Sequence, residues 1–181
     1  IDSDMMEIRQ TGTGVIVNKN AEYLRDNLIQ GLGLALLIVS LLMMFLFKDW
    51  RFLIISLIPN IFPLIFAAAV LGYFSIELEA TISIIFALSF GIAVDDTIHF
   101  LSKYKLSLAK HGDKEMAIKT TFQETGKAII FTSVILFFGF LVMLFSIHPP
   151  SVIIGLLISV TLLSAVVSDL SLIPWLIRKL T

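Results

Sequence analysis

The sequence predicts an all-α membrane protein, five transmembrane helices behind a short external N-terminal segment. Three observations predict it. Of 181 residues, 57% are hydrophobic and only 15% charged, where ordinary soluble domains run at about 45–50% and about 25%. Five apolar stretches each reach the roughly 20 residues that a helix needs to cross the hydrocarbon core. The cations gather on one side of those stretches, as they do in cytoplasmic loops.

Residues 1–27 are polar and mixed, and the chain opens on Ile1 with no basic-then-apolar leader. The expectation is the C-terminal part of something longer. Thr11-Gly12-Thr13-Gly14 reads as a turn and Val15-Ile16-Val17 as a short strand, with Asn18-Lys19-Asn20 capping a helix from Ala21 to Asn27. This is the pattern of a last strand and linker left over from an external domain.

The membrane domain then occupies residues 28–177. Its first span is Leu28–Phe47, uncharged, and Lys48-Asp49-Trp50-Arg51 joins it to the second, Phe52–Ile76. The second contains Pro59, Asn60 and Pro63, and proline both removes a helical donor and bends the helix. Glu77 and Glu79 precede the third span, Ala80–Ser102, which carries Asp95 and Asp96. Residues 103–127 form a polar, lysine-rich loop with a short amphipathic helix starting near Gly112-Asp113. Ala128–Ile147 is the fourth span, His148-Pro149-Pro150 a turn, and Ser151–Ile177 the fifth span, which carries Asp169.

Ten of the thirteen cations, from Lys48 and Arg51 through the loop lysines to Arg178 and Lys179, fall on one side of this arrangement. Arg9, Lys19 and Arg25 fall on the other. The bias places the N-terminus outside and the C-terminus in the cytoplasm.

Net charge is −1 and cysteine is absent. Nothing points to nucleic acid, disulfides or thiolate metal sites. His99, His111 and His148 are too scattered for a metal cluster, and no catalytic constellation is visible, so neither an enzyme nor a cofactor is expected.

The chemistry lies in the polar residues within the spans. A carboxylate near mid-bilayer costs about 2.5–3.5 kcal/mol on insertion scales, and two adjacent ones repel, which favours a proton on one of them. Asp95 and Asp96 therefore read as an ion or proton site. At about 1.5 Å per residue, Asp95 lies about 12 Å from Lys103, Asn60 about 12 Å past Phe52, Thr132 and Ser133 about 8–9 Å past Lys127, and Asp169 about 14 Å before Arg178. Polar groups from four spans thus share a depth, as a common buried site requires. His99 shares a helix face with Asp95 and is placed to relay protons toward the cytoplasm, or simply sits at headgroup level. Gly91, one turn before Asp95, lets a neighbouring helix approach closely. Thr161, Ser164, Ser168 and Ser171 form one stripe, suited to interhelical hydrogen bonds or to lining a proton path. Asp169 either faces the bundle or snorkels to the interface.

Gly91-Ile-Ala-Val-Asp95-Asp96-Thr-Ile-His-Phe resembles the G-x-x-x-D-D signature of resistance-nodulation-division (RND) transporters, closest to MMPL-type exporters and to Patched-like, sterol-sensing membrane domains. Pro59-Asn60-Ile-Phe-Pro63, Phe137-Phe138-Gly139-Phe140 and Ser168-Asp169-Leu170 with Pro174 are similar to the other spans of that family. The resemblance implies spans eight to twelve of a twelve-span protein whose N-terminal half is a partner, in the cell (inner) membrane. It further implies proton-driven export of lipids or other hydrophobic or amphiphilic compounds, with Asp95 and Asp96 as proton carriers. Drug-efflux members pair such aspartates with a lysine inside a span; no span here has one in its core. Sodium suits the same carboxylates, and the oligomeric state stays open. The alternatives are a lipid-sensing regulatory domain and a protein-export auxiliary of the SecD/SecF type.

Overall fold

The computed structural model describes residues 13–76 and 80–181. Six α-helices follow in order: α1 (Thr13–Phe47), α2 (Trp50–Tyr73), α3 (Ala80–His111), α4 (Lys114–Thr121), α5 (Lys127–Leu141) and α6 (Pro149–Leu180). A π-helical stretch, Phe122–Gly126, joins α4 to α5 without a break, and a 3-10 turn, Val142–Phe145, extends α5. Five helices are long and apolar enough to span a membrane: α1, α2, α3, the continuous α4–α5 rod and α6.

The expected strand at Val15–Val17 is not formed. The first helix already runs from Thr13, through the expected turn at Thr13-Gly14 and the expected caps at Asn18 and Asn20. A strand of three residues needs a partner edge to satisfy its backbone, and no strand exists among the described residues. A helix satisfies its own. Thr11, Gly12, Glu77 and Glu79 lie outside the described residues.

The joints follow from local chemistry. Helix α1 ends on Lys48, which takes the left-handed conformation (φ 52°) and donates its N–H to Met44 O at 2.9 Å. Asp49 then caps α2 by accepting from the Arg51 N–H. At the far end of α2, Ser75 is left-handed (φ 52°); its N–H meets Gly72 O, and the Ile76 N–H reaches back to Leu71 O at 3.0 Å. That pairing is a Schellman motif, sealed by packing of Ile76 beside Leu71. Gly112 (φ 70°) closes α3 and Asp113 opens α4 by accepting from the Met116 N–H at 2.9 Å, so the expected amphipathic helix begins where its glycine and aspartate place it. Pro149 and Pro150 occupy the first turn of α6, where their missing N–H groups cost nothing.

Helix α6 is the hub, packing against α2, α3 and α5. Two apolar clusters form the core. One, toward the lysine-rich end, gathers Phe47, Phe52, Ile55, Phe100, Tyr104 and Ile173. The other, toward the opposite end, gathers Leu64, Leu71, Phe86, Phe90, Val94 and Leu162. Helices α1 and α5 bury little of themselves and present broad apolar faces outward.

Candidate functional site

Between the two apolar clusters lies a polar layer. In α2 it begins with a proline effect: Pro63 has no N–H, so Pro59 O lacks its helical donor four residues on. Ser168 of α6 supplies one, donating its hydroxyl to Pro59 O at 3.1 Å. Of the expected hydroxyl stripe, this residue alone crosses to another helix. Thr161, Ser164 and Ser171 bond back to carbonyls of α6 itself and not across to another helix.

One residue beyond each of these positions lies the centre of the layer. Asn60 is fully buried and donates its Nδ2 to Ser56 O at 2.8 Å. Its Oδ1 faces the Thr97 hydroxyl of α3 at 3.3 Å, and the same hydroxyl lies 3.0 Å from Oδ1 of Asp169 on α6. Asp169 is 1% exposed, and its Oδ2 has no partner among the described residues. So Asp169 faces the bundle and does not snorkel. Asn60 faces Asp169 through Thr97, not the Asp95–Asp96 pair as expected.

The pair itself faces elsewhere. Successive residues of a helix are about 100° apart, so Asp95 and Thr97 point to nearly opposite sides of α3. Thr97 is buried, Asp96 half-buried, and Asp95 exposed. Asp95 and His99 form an i, i+4 pair at 3.5 Å, with side chains 70% and 68% exposed. They open onto a groove of about 1060 Å³ between α3 and α5. Gly91, Asp96 and Ser102 line it from α3, and Glu124, Thr125 and Thr132 line it from the other wall. Thr132 thus joins the pair as expected, although its hydroxyl bonds back to Ala128 O and Ile129 O. Ser133, one residue on, is buried and does not line the groove.

At the lysine-rich end of the groove, Lys103 pairs with Glu124, which projects from the π-helical stretch. Arg178 clasps Glu115 with two 2.8 Å hydrogen bonds, tying α6 to α4. No group of three His, Cys, Asp or Glu side chains among the described residues is arranged to hold a metal ion.

Gly91 also differs from expectation. Among the described residues a Cβ built on it meets nothing within 4 Å, so none of these helices approaches there. The close approach occurs at Gly155, where a Cβ would lie 2.7 Å from both Met143 Cβ and Phe140 O. Sequence reasoning missed Gly155, Thr97 and Glu124. Thr97 was findable: it follows Asp96 directly and shares the depth of Asn60 and Asp169. The Ser168 contact was findable from Pro63. Gly155 carries no such signal, because an isolated glycine in an apolar helix looks the same packed or exposed.

The profile of the MMPL family matches residues 2–180, nearly the whole chain. A protein of Methanocaldococcus jannaschii named as a putative membrane protein is 24% identical over 172 residues, which is 95% of this chain and 44% of that protein. The chain thus spans less than half the length of that relative.

Proposed function

Because the chain belongs to the MMPL family of membrane transporters, we propose that it is the ion-coupling half of a proton-driven exporter of lipids or other hydrophobic or amphiphilic compounds. The observation that carries the proposal is that Asp95, exposed, and Asp96, half-buried, both line a groove at a depth where an apolar helix has no structural use for carboxylates. These two face an open cleft.

The groove supplies what proton exchange requires. His99 stands one turn from Asp95 toward the lysine-rich end, and Ser102 and the Lys103–Glu124 pair stand one turn further. This polar strip would lead protons between the cytoplasm and the pair. Two adjacent carboxylates repel when both are charged and cease to when one is protonated. The wall facing them, α5, presents most of its surface outward, and the change in that repulsion would act on it across the groove. The bare outer faces of α1 and α5 and the open groove suit a second set of helices, the other half of the transporter. Residues 1–27 would link the bundle to an external domain that selects the cargo.

The experiment is substitution of each aspartate in the full-length transporter. Asp96→Asn and Asp95→Asn should insert normally and lose gradient-driven transport to background. Near-normal transport by both would refute the proposal.

A further inference from the structure

The polar layer behind the groove contains a proton count that does not close unless Asp169 is protonated. The Thr97 hydroxyl carries one hydrogen, yet its two neighbours, Asn60 Oδ1 at 3.3 Å and Asp169 Oδ1 at 3.0 Å, are both acceptors. Rotating the Asn60 amide does not help. Its Nδ2 already donates to Ser56 O at 2.8 Å, and exchanging the amide atoms would set oxygen against oxygen there. With Asp169 charged, Thr97 donates to one neighbour only. Either Asn60 Oδ1 or Asp169 Oδ1 is then left bare, and Asp169 Oδ2 is bare as well. An ionised carboxylate so placed, 1% exposed within an apolar bundle, loses hydration without replacement. With a proton on Oδ1 the chain closes. Asp169 donates to Thr97, Thr97 donates to Asn60, and Asn60 donates to Ser56 O. Only the neutral carbonyl Oδ2 stays unpartnered.

We infer that Asp169 is a proton-binding site in its own right, occupied in this conformation and read out by Thr97. Its occupancy sets which helix Thr97 serves. Protonated, Asp169 directs the Thr97 hydroxyl to Asn60 and so joins α3 to α2. Deprotonated, it draws that hydroxyl to itself and releases Asn60. The α2 residues in this hydrogen-bond chain, Asn60 and Ser56, do not titrate. On α3 the titratable side chain beside Thr97 is Asp96, its sequence neighbour. The site is separate from the Asp95–Asp96 groove, and its proton does not depend on whether that pair couples transport.

The test is infrared spectroscopy of the full-length protein in liposomes near neutral pH, with isotope-labelled aspartate. The parent should show a carboxylic-acid C=O band at the high-frequency end of its range, since Oδ2 accepts no hydrogen bond. Asp169→Asn should remove that band, whereas Asp95→Asn should leave it. Thr97→Val, nearly equal in shape, should retain the band and shift it, and it carries the test if Asp169→Asn does not fold. Identical acid bands in the parent and Asp169→Asn, or an acid band indifferent to Thr97→Val, would overturn the assignment. Transport by Asp96→Asn bears only on the groove, so the two readings fail separately.

Discussion

Replacing Ser168 by alanine removes one hydrogen bond and almost no volume, and the bond it removes is the substitute that Pro63 makes necessary. Ser168 is 2% exposed and its 3.1 Å bond runs to a carbonyl in the buried middle of α2. Interhelical hydrogen bonds in membranes average about 0.6 kcal/mol and reach about 1.7. Here the carbonyl left behind has neither a helical donor nor water, so the upper part of that range applies, about 1–2 kcal/mol. The cost should depend on Pro63. Pro63→Ala restores a backbone N–H four residues after Pro59, and Pro59 O then has its ordinary helical partner. In that background Ser168→Ala should cost no more than about 0.5 kcal/mol, a coupling of about 1 kcal/mol between residues on different helices. Equilibrium unfolding in mixed micelles measures all four corners of the cycle. Costs for Ser168→Ala that agree within about 0.3 kcal/mol in the two backgrounds would refute the reasoning, since independent sites add to that accuracy.

Gly155→Ala should destabilise the bundle by about 1–3 kcal/mol, because its methyl group meets Phe140 O and Met143 Cβ at 2.7 Å, and a backbone carbonyl yields little. Gly91→Ala should instead raise the stability of the same bundle by about 0.5–1 kcal/mol, since its Cβ meets open space and alanine favours the helix. Ser75→Gly should raise stability by about 0.5–1 kcal/mol by relieving a left-handed residue (φ 52°), seen as a higher melting temperature. Asp113→Ala should cost about 1 kcal/mol through the lost cap of α4, and hydrogen exchange should rise at the Met116 amide first.

The fold was legible because its strongest signal is local. An apolar run of sufficient length declares a membrane helix without reference to any partner, and each of the five runs holds one here, although those expected to end at Ile76 and Ile147 stop at Tyr73 and Phe145. The cap at Asp113 was legible for the same reason. Helix extent beyond the apolar run was not. Helix α3 continues from Lys103 to His111 and α1 starts at Thr13, because helix formation does not stop where hydropathy does. The three β-branched residues at 15–17 suggested a strand, a preference weak enough for an adjoining helix to override. The candidate site was legible in depth but not in direction. Counting residues from the basic end brought Asn60, Asp95, Thr132 and Asp169 to one level. It could not tell which of two opposite faces of α3, that of Asp95 or that of Thr97, packs inward, and this divides the expected single cluster into a groove and a buried triad. That division depends on which face of α3 meets α2 and α6, a tertiary fact.

In the proposed function protons bind and leave at Asp95 and Asp96 during transport. The most direct measurement is proton uptake by liposomes of the source cell's own lipid extract, containing the full-length protein, under an imposed pH gradient. The parent should take up protons, Ser168→Ala should retain most of that flux, and Asp96→Asn should fall to the rate of empty liposomes. Undiminished flux through both Asp95→Asn and Asp96→Asn would contradict the account.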